Sequence, residues 1–492
     1  MRHGTFWPPF VLLVGGVVAT MVGGADLVAR LQTAVRLCVA GLAPLFIGTS
    51  MVAVLACLIV AFSPLGSRRL GGPQAERVLA PLQYFMVALC TTVAVGILFW
   101  ATAEPLYHLK APPLGLQEHS PAAVRFAMAT LLVHWTLIPY AIYAVPAVLF
   151  ALVFYNRGLP FRLSSCLQPL FGWSSEGWLA DLVDSVCLFA LVAGMAASLG
   201  AGILTLSGGV AHLTGLTSAW PMWLVIGLLV VATFVISAAS GLERGIRILS
   251  QVNTVLFLAI IAFVFLAGPT AAEVRLTATA VWDFLSGFVR RGLLLDFAPG
   301  DAWPIDWTLF YWCNWLAWAP VTAVFLGRIS RGYTVRQMLL FTWIFPSLFV
   351  TVWMGVLGGT SVAFDADGSL SRLLSEQGPE AVSYAIFAAM PAAGLVIPLF
   401  LAGVFISYVT AADSNTLAMA GLCSTGISPD SPEPPLSLKL TWGAVVGAVS
   451  LVMICGAGIE GVKTLSNLGG VPALGFEMLC ALALLKLVYE DR

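Results

Sequence analysis

Apolar runs of about 20 residues, each long enough to cross about 30 Å of hydrocarbon as a helix, recur from one end of this chain to the other. Twelve are counted, centred near Val14, Val54, Val93, Ala144, Ala193, Leu228, Ile260, Leu316, Phe349, Leu401, Val449 and Leu479. The expected fold class is an all-α polytopic membrane protein with 12 transmembrane helices. Composition agrees, since 60% of the 492 residues are hydrophobic and only 10% charged, against about 25% charged in a soluble globular protein. A net charge of -1, with the charges in loops, argues against nucleic acid as a partner. Of nine cysteines, Cys38, Cys57, Cys90, Cys313, Cys455 and Cys480 lie in apolar runs, and no C-x-x-C pair occurs. They read as small hydrophobes, so no metal and no disulfide frame is expected, and nothing in the chain asks for a cofactor. Pro8 to Met21 has the look of a signal peptide, but it lacks a clear small-residue cleavage pattern and further spans follow at once, so it reads as the first span.

Between the spans lie short polar links and one longer region, Glu273 to Phe297, with Trp282, Phe284, Phe288, Arg290 and Arg291. Two readings are open for it: an amphipathic helix lying at the membrane interface, or a plain connecting helix. Lysines and arginines divide 14 to 9 between alternate loops, which places both termini in the cytoplasm by the positive-inside rule. Transporters often contain two inverted repeats whose first helices are broken at the binding site. Spans 3–7 and 8–12 suit that plan, with interruptions at Thr91 to Gly96 in span 3 and at Cys313-Asn314 in span 8. Small residues at 94 and 96 equally suit ordinary close helix packing. The resulting division is 1–77 for two peripheral helices, 78–272 for the first repeat, 273–302 for the interfacial segment and 303–492 for the second repeat.

The stretch Asp306 to Gly332 contains Trp307, Trp312, Trp315 and Trp318. On a helix Tyr311, Trp315 and Trp318 follow i, i+4, i+7 spacing and share one face. Such a face is either part of an aromatic membrane belt or a receptor for a cation, and Trp315 and Trp318 fall well inside the segment, away from the interfaces where belts sit.

Four phrases in order resemble the betaine/carnitine/choline transporter family: VGILFWATAEPLYHL from Val95, HWTLIPYAIYAV from His134, WTLFYW with the later ISRG in span 8, and YVTAADSNTL from Tyr408. The resemblance runs in register from about Phe6 to Val488. It implies a leucine-transporter-like fold of two inverted five-helix repeats, and transport of a quaternary-ammonium compound across the membrane by alternating access. It also implies a homotrimer in a bacterial inner membrane. A quaternary ammonium donates no hydrogen bond, so an aromatic cage is its natural receptor, worth roughly 0.5 to 2 kcal/mol per well-placed ring. The matching positions are Trp135, Tyr140 and Tyr143 in span 4 with Trp315 and Trp318 in span 8. Pro139 would let span 4 bend around the ligand. A substrate carboxylate falls, by resemblance, to freed backbone N–H groups around Ala94, Val95 and Gly96.

Departures from the family pattern bear on substrate and coupling. Asn314 and Tyr140 stand where relatives usually have Trp, giving a smaller, more polar cage that admits choline, sarcosine-like or sulfonium compounds. Leu191 and Met195 occupy the places of a threonine pair that serves sodium in coupled members, and neither offers an oxygen to a hard cation. Of a second family site, made by span 3 carbonyls near Val93 and a Thr-Ser pair in span 10, only Thr410 remains beside Ala411. Coupling to two sodium ions is therefore not expected, which leaves a single sodium ion, a proton or exchange. Glu477, a carboxylate inside span 12, is a candidate proton carrier, or it faces a polar neighbour. Glu104 and Asp413 at helix ends are expected to hold backbone or a gate, without ligand contact. Short tails argue against osmotic sensing of the kind that long charged tails provide in the family. No H-E-x-x-H or G-x-S-x-G occurs, His134 has no companion at metal spacing, and no filter phrase appears, which argues against an enzyme or a channel.

Overall fold

The structure is a computed structural model of the chain. Residues 94–95, 175, 240–242, 427–433 and 491–492 lie outside its described part, as do the side chains of residues 93, 238–239 and 243–247. The principal helices are α1 (His3–Gly41), α2 (Ala43–Phe62), α3 (Pro81–Val93), α4 (Gly96–Lys110), α5 (Pro121–Trp135), α6 (Leu137–Ala151), α7 (Trp178–Thr214), α8 (Trp220–Ala239), α9 (Glu243–Ala267), α10 (Thr270–Ser286), α11 (Phe310–Ile329), α12 (Phe345–Phe364), α13 (Ala393–Leu422) and α14 (Leu436–Glu490). Among the described residues the only extended pairing is one isolated bridge between Arg69 and Thr334.

Ten segments are long and apolar enough to cross a membrane, eleven if the bent pair α3 and α4 counts as one. The hydropathy count of twelve differs for a local reason. Its last two centres, Val449 and Leu479, both fall in α14, a 55-residue stretch of two helical halves with no loop between them, which turns at Gly458 with φ 53° and ψ -132°. Only glycine takes that conformation without strain, so the turn needs no proline and no loop.

Burial sorts the helices into a periphery and a centre. The most apolar stretch of α1 is 11% buried, whereas those of the α5–α6 and α11 segments are 89% buried. Leu12, Val22, Leu228 and Leu229 accordingly face outward from α1 and α8, as expected where the surroundings are hydrocarbon and not water. The region 273–302 forms α10 and a short helix Phe288–Gly292, and neither is a candidate span. Its α10 is docked on α5 and α12 rather than merely lying on a surface. Arg125 of α5 holds Asp283 through two hydrogen bonds, and that guanidinium keeps the Asp283 carboxyl below the usual range. Glu273 is buried and accepts from Thr360 Oγ1 at 2.7 Å.

Two interruptions position the centre. In span 4 the helix breaks at Thr136, φ -119° and ψ -116°, between α5 and α6. Pro139 then sits in the first turn of α6, where a missing N–H leaves no intrahelical bond unmade. In span 3 the axes of the two halves meet at 57°. The interruption expected at Cys313-Asn314 is not there. α11 runs unbroken through both residues, neither of which is a helix breaker, and the irregularity lies earlier, in a wide π-type turn at Ile305–Leu309.

Candidate substrate-binding site

The break at Thr136 frees the carbonyl of His134 from its usual partner four residues on, and the Trp315 indole N–H donates to it at 3.0 Å. One helix end thereby fixes the orientation of a ring on another. Trp315 then gathers its neighbours: ring centroids lie 4.8 Å away for Tyr143, 5.3 Å for Tyr140 and 5.7 Å for Trp135. Trp135, Tyr143, Trp315 and Trp318 all line one cavity of about 40 Å³ with Asn314 and Gly96. No charged side chain is among its walls in the described residues. Ligand cavities are more often about 300–1,000 Å³, so seating a solute requires these rings to move apart.

Of the residues expected there, Tyr140 is fully buried and packs behind Trp315 without lining the cavity. Thr410 spends its hydroxyl on the carbonyls of Ile406 and Ser407 in its own helix. Glu477 is fully buried in α14, away from the cavity, and neither of its oxygens has a hydrogen-bond partner among the described residues. Ala94 and Val95 lie outside the described residues, and so does the side chain of Val93. The structure adds Thr92, Trp100, Ala197, Ser198, Ala201, Phe310 and Val462 to the walls. Phe310 was within reach of the sequence, four residues before Asn314 on the same helical face, and Trp100 stands in the same relation to Gly96.

Asn314 is half-committed. Its Oδ1 accepts from Ser466 Oγ at 3.0 Å, which leaves the amide N–H groups as donors. At Gly96 backbone and ring come close: a Cβ there would lie 2.9 Å from Trp135 Cη2. Gly96→Ala is therefore expected to displace the Trp135 ring and weaken solute binding about five- to tenfold, overpacking of this kind costing about 1–3 kcal/mol. Titration of intrinsic tryptophan fluorescence checks it, and unchanged affinity would show that Trp135 does not shape the cavity.

Glu104 carries more than backbone. Its Oε2 accepts from Trp135 Nε1 at 2.8 Å and from the Tyr311 hydroxyl, and its Oε1 bonds His134 Nδ1 at 2.6 Å and His108 Nε2 at 3.3 Å. Four ring side chains from three helices, α4, α5 and α11, are thus held by one fully buried carboxylate. The partner that spacing could not find for His134 is His108, brought in from α4 to a ring distance of 6.2 Å.

A wider cavity of about 710 Å³ adjoins the first and shares Phe310 with it. Its rim holds Arg36, paired with Asp306 at 2.8 Å, and Lys463, paired with Glu460 at 3.1 Å. A third cavity, about 430 Å³ between α1, α7 and α14, is lined mainly by aliphatic side chains, with Phe189 as the aromatic residue among them.

The chain is similar to the glycine betaine transporter OpuD of Bacillus subtilis, 29% identical over 85% of this chain and 80% of that one. It is likewise 30% identical to glycine betaine transporter 1 of Vibrio parahaemolyticus, over 86% and 80% of the two chains. An ectoine/hydroxyectoine transporter of Virgibacillus pantothenticus is 30% identical over 84% and 82%. A solved sodium-coupled sialic acid symporter in a substrate-bound outward-open state aligns over 89% of this chain and 86% of that one, with a TM-score of 0.44 and 11% identity. A family model described as betaine/carnitine/choline family transporter matches residues 4–492. This multi-pass membrane protein, a transporter and not an enzyme, belongs to the betaine/carnitine/choline transporter family.

Proposed function

We propose that the protein moves a quaternary-ammonium solute of the betaine, choline or carnitine type by alternating access, with the cation seated among Trp135, Tyr143, Trp315 and Trp318. One observation carries this reading: four aromatic rings from α5, α6 and α11 converge on a single cavity whose walls, among the described residues, hold no charge. A fixed positive charge that cannot donate hydrogen bonds gains from such ring faces and from little else. The carboxylate of a betaine would take backbone N–H groups at the start of α4, beside Gly96. A frame of two inverted repeats, spans 3–7 and 8–12, supplies the rocking motion, with both termini on the cytoplasmic side by the distribution of Lys and Arg. A homotrimer is part of the same proposal.

Coupling to two sodium ions is not part of it. Leu191 and Met195 are fully buried hydrocarbon and thioether side chains in α7, and neither suits a hard cation. A second solute class is favoured by Asn314, whose free amide donors suit a hydroxylated solute or a zwitterion with a delocalised cation. The ectoine/hydroxyectoine relative belongs to that class by name.

Trp315→Ala is expected to raise the half-saturation for a trimethylammonium solute about tenfold or more, since a well-placed ring is worth about 1 kcal/mol or more and this one also anchors Tyr143. The measurement is uptake and binding by purified protein across glycine betaine, choline, carnitine and ectoine. Binding of none of them, or affinity indifferent to Trp315, would remove the reading.

A further inference from the structure

We infer that Glu104, His108 and His134 form a proton-binding site that couples proton movement to solute movement, fed through a small cavity beside His134. The inference rests on the transporter reading above and deepens it. The ligating atoms of the three side chains lie within 4.8 Å of one another, and all three side chains are fully buried. A purely structural role for Glu104 would be met by Trp135, Tyr311 and one imidazole. Here two imidazoles converge on the same carboxylate oxygen.

Three features suit a proton that comes and goes. His134 has both ring nitrogens engaged, Nδ1 with Glu104 and Nε2 with Thr308 Oγ1 at 2.9 Å. A hydroxyl donates or accepts, so the ring can be neutral or cationic without turning. His108 Nδ1 is buried and has no hydrogen-bond partner among the described residues, which leaves one position on the cluster open to a proton. Finally, a cavity of about 20 Å³, large enough for a water, is lined by His134, Thr308 and Trp303 together with Arg290, Arg291 and Asp296. Arg290 pairs with Asp296 and its side chain is 70% exposed, so this cavity reaches from the cluster towards the aqueous surface. A proton arriving there meets Nε2 of His134 or the Thr308 hydroxyl, and Nδ1 passes charge to Glu104. Glu104 is in turn one hydrogen bond from Trp135 on the solute cavity wall.

The other titratable groups around the cluster are accounted for by element. On α4, Tyr107 packs its ring 5.2 Å from that of Trp307 and lines the wider cavity with Glu460. Glu380 lies outside the spans, and burial pushes its carboxyl up to about 7. On α5, Arg125 is committed to Asp283. From the turn before α11, Asp306 is committed to Arg36, and from α11 itself Tyr311 donates to Glu104. Lys463 of α14 lies 5.0 Å over the Trp307 ring, whose centroid is 4.6 Å from that of His108, so an indole stands between the ammonium and the imidazole. α12, which also packs on α4, has no titratable side chain.

Two variants test the cluster without touching the walls of the solute cavity. His108→Gln keeps a donor for Glu104 but does not titrate, and Thr308→Val keeps shape while removing the hydroxyl on His134. Proteoliposomes are assayed with the best-bound solute for exchange at equal pH and for accumulation driven by an inward proton gradient, with an internal pH dye reporting co-transported protons. The wild-type protein is expected to acidify the lumen on solute addition, with accumulation varying between about pH 6 and pH 8. Both variants are expected to keep exchange within about twofold while gradient-driven accumulation falls at least about tenfold and its pH profile flattens. Glu380 is intact in both, so a profile set by Glu380 would persist in them and overturn the inference. So would normal exchange with no solute-linked acidification, or wild-type accumulation abolished by a chelator and restored by Zn²⁺. Absence of any solute binding or exchange would instead refute the transporter reading itself.

Discussion

Glu104→Ala is expected to reduce solute affinity at least about a hundredfold, equivalent to about 2.7 kcal/mol. The carboxylate is the acceptor for Trp135 Nε1, the Tyr311 hydroxyl and His134 Nδ1, and it also faces His108 Nε2. Each buried donor stranded by its removal costs about 1–3 kcal/mol. Those groups reduce the penalty only by turning, and Trp135 turns at the cost of the cavity it lines. Loss of a buried charge works the other way, but the charge is already solvated by these donors, so the stranded donors decide the sign. Glu104→Gln retains one acceptor oxygen and is expected to lie between alanine and wild type. Fluorescence titration together with thermal unfolding of purified protein checks this. Wild-type affinity in the alanine variant would mean that Trp135 and Tyr311 hold their places without Glu104.

What could be read beforehand follows the reach of local patterns. Trp135, Tyr143, Trp315 and Trp318 were legible because helical spacing and family phrases act within one segment, and all four line the cavity. Tyr140 was placed with them by the same logic. Yet it lies three residues from Tyr143, about 60° round the helix, and that offset turns it to the back of Trp315. Of the partners of Glu104, His108 sits four residues on along the same helix and was within reach of spacing, whereas His134, Trp135 and Tyr311 arrive from α5 and α11 and no spacing links them to it. His108 and His134 show the limit plainly: they are unremarkable at 26 residues apart in sequence and share one carboxylate oxygen in space.

Breaks in helices were legible where chemistry forces them and not elsewhere. Pro139 signalled the interruption in span 4, which falls at Thr136, just ahead of it. Cys313-Asn314 was read as a break by analogy between repeats, with no breaker residue to cause it, and the helix passes straight through. The turn at Gly458 went unread because the chain has 47 glycines and almost all of the helical ones serve packing or nothing visible. Packing glycines were equally hard to rank, although one pair seats α14 closely against α7 and α11.

Gly470→Ala is expected to prevent accumulation of folded protein. A Cβ at 470 would lie 2.2 Å from Cys313 Cα and 2.4 Å from Cys313 O, and backbone atoms cannot rotate aside as a side chain would. Its neighbour Gly469 is nearly as tight, with a Cβ position 2.7 Å from Ala190 O and 2.8 Å from Ala317 Cβ. α14 is thus wedged against α7 and α11 at a close helix crossing of the small-residue kind. Relieving the clash means moving two backbones apart by about 1 Å or more, beyond ordinary overpacking at about 1–3 kcal/mol and in the range above about 4 kcal/mol that single substitutions seldom reach. The same crossing brings Ser466 to Asn314 Oδ1, so any protein that does fold should bind solute poorly. Gly475 on the same helix has nothing within 4 Å of its would-be Cβ, and Gly475→Ala is expected to match wild type in yield, unfolding temperature and binding. Folded yield judged by size-exclusion profile, compared between the two alanine variants, decides the matter: equal behaviour would mean that α14 and α11 do not meet at Gly470 and Cys313.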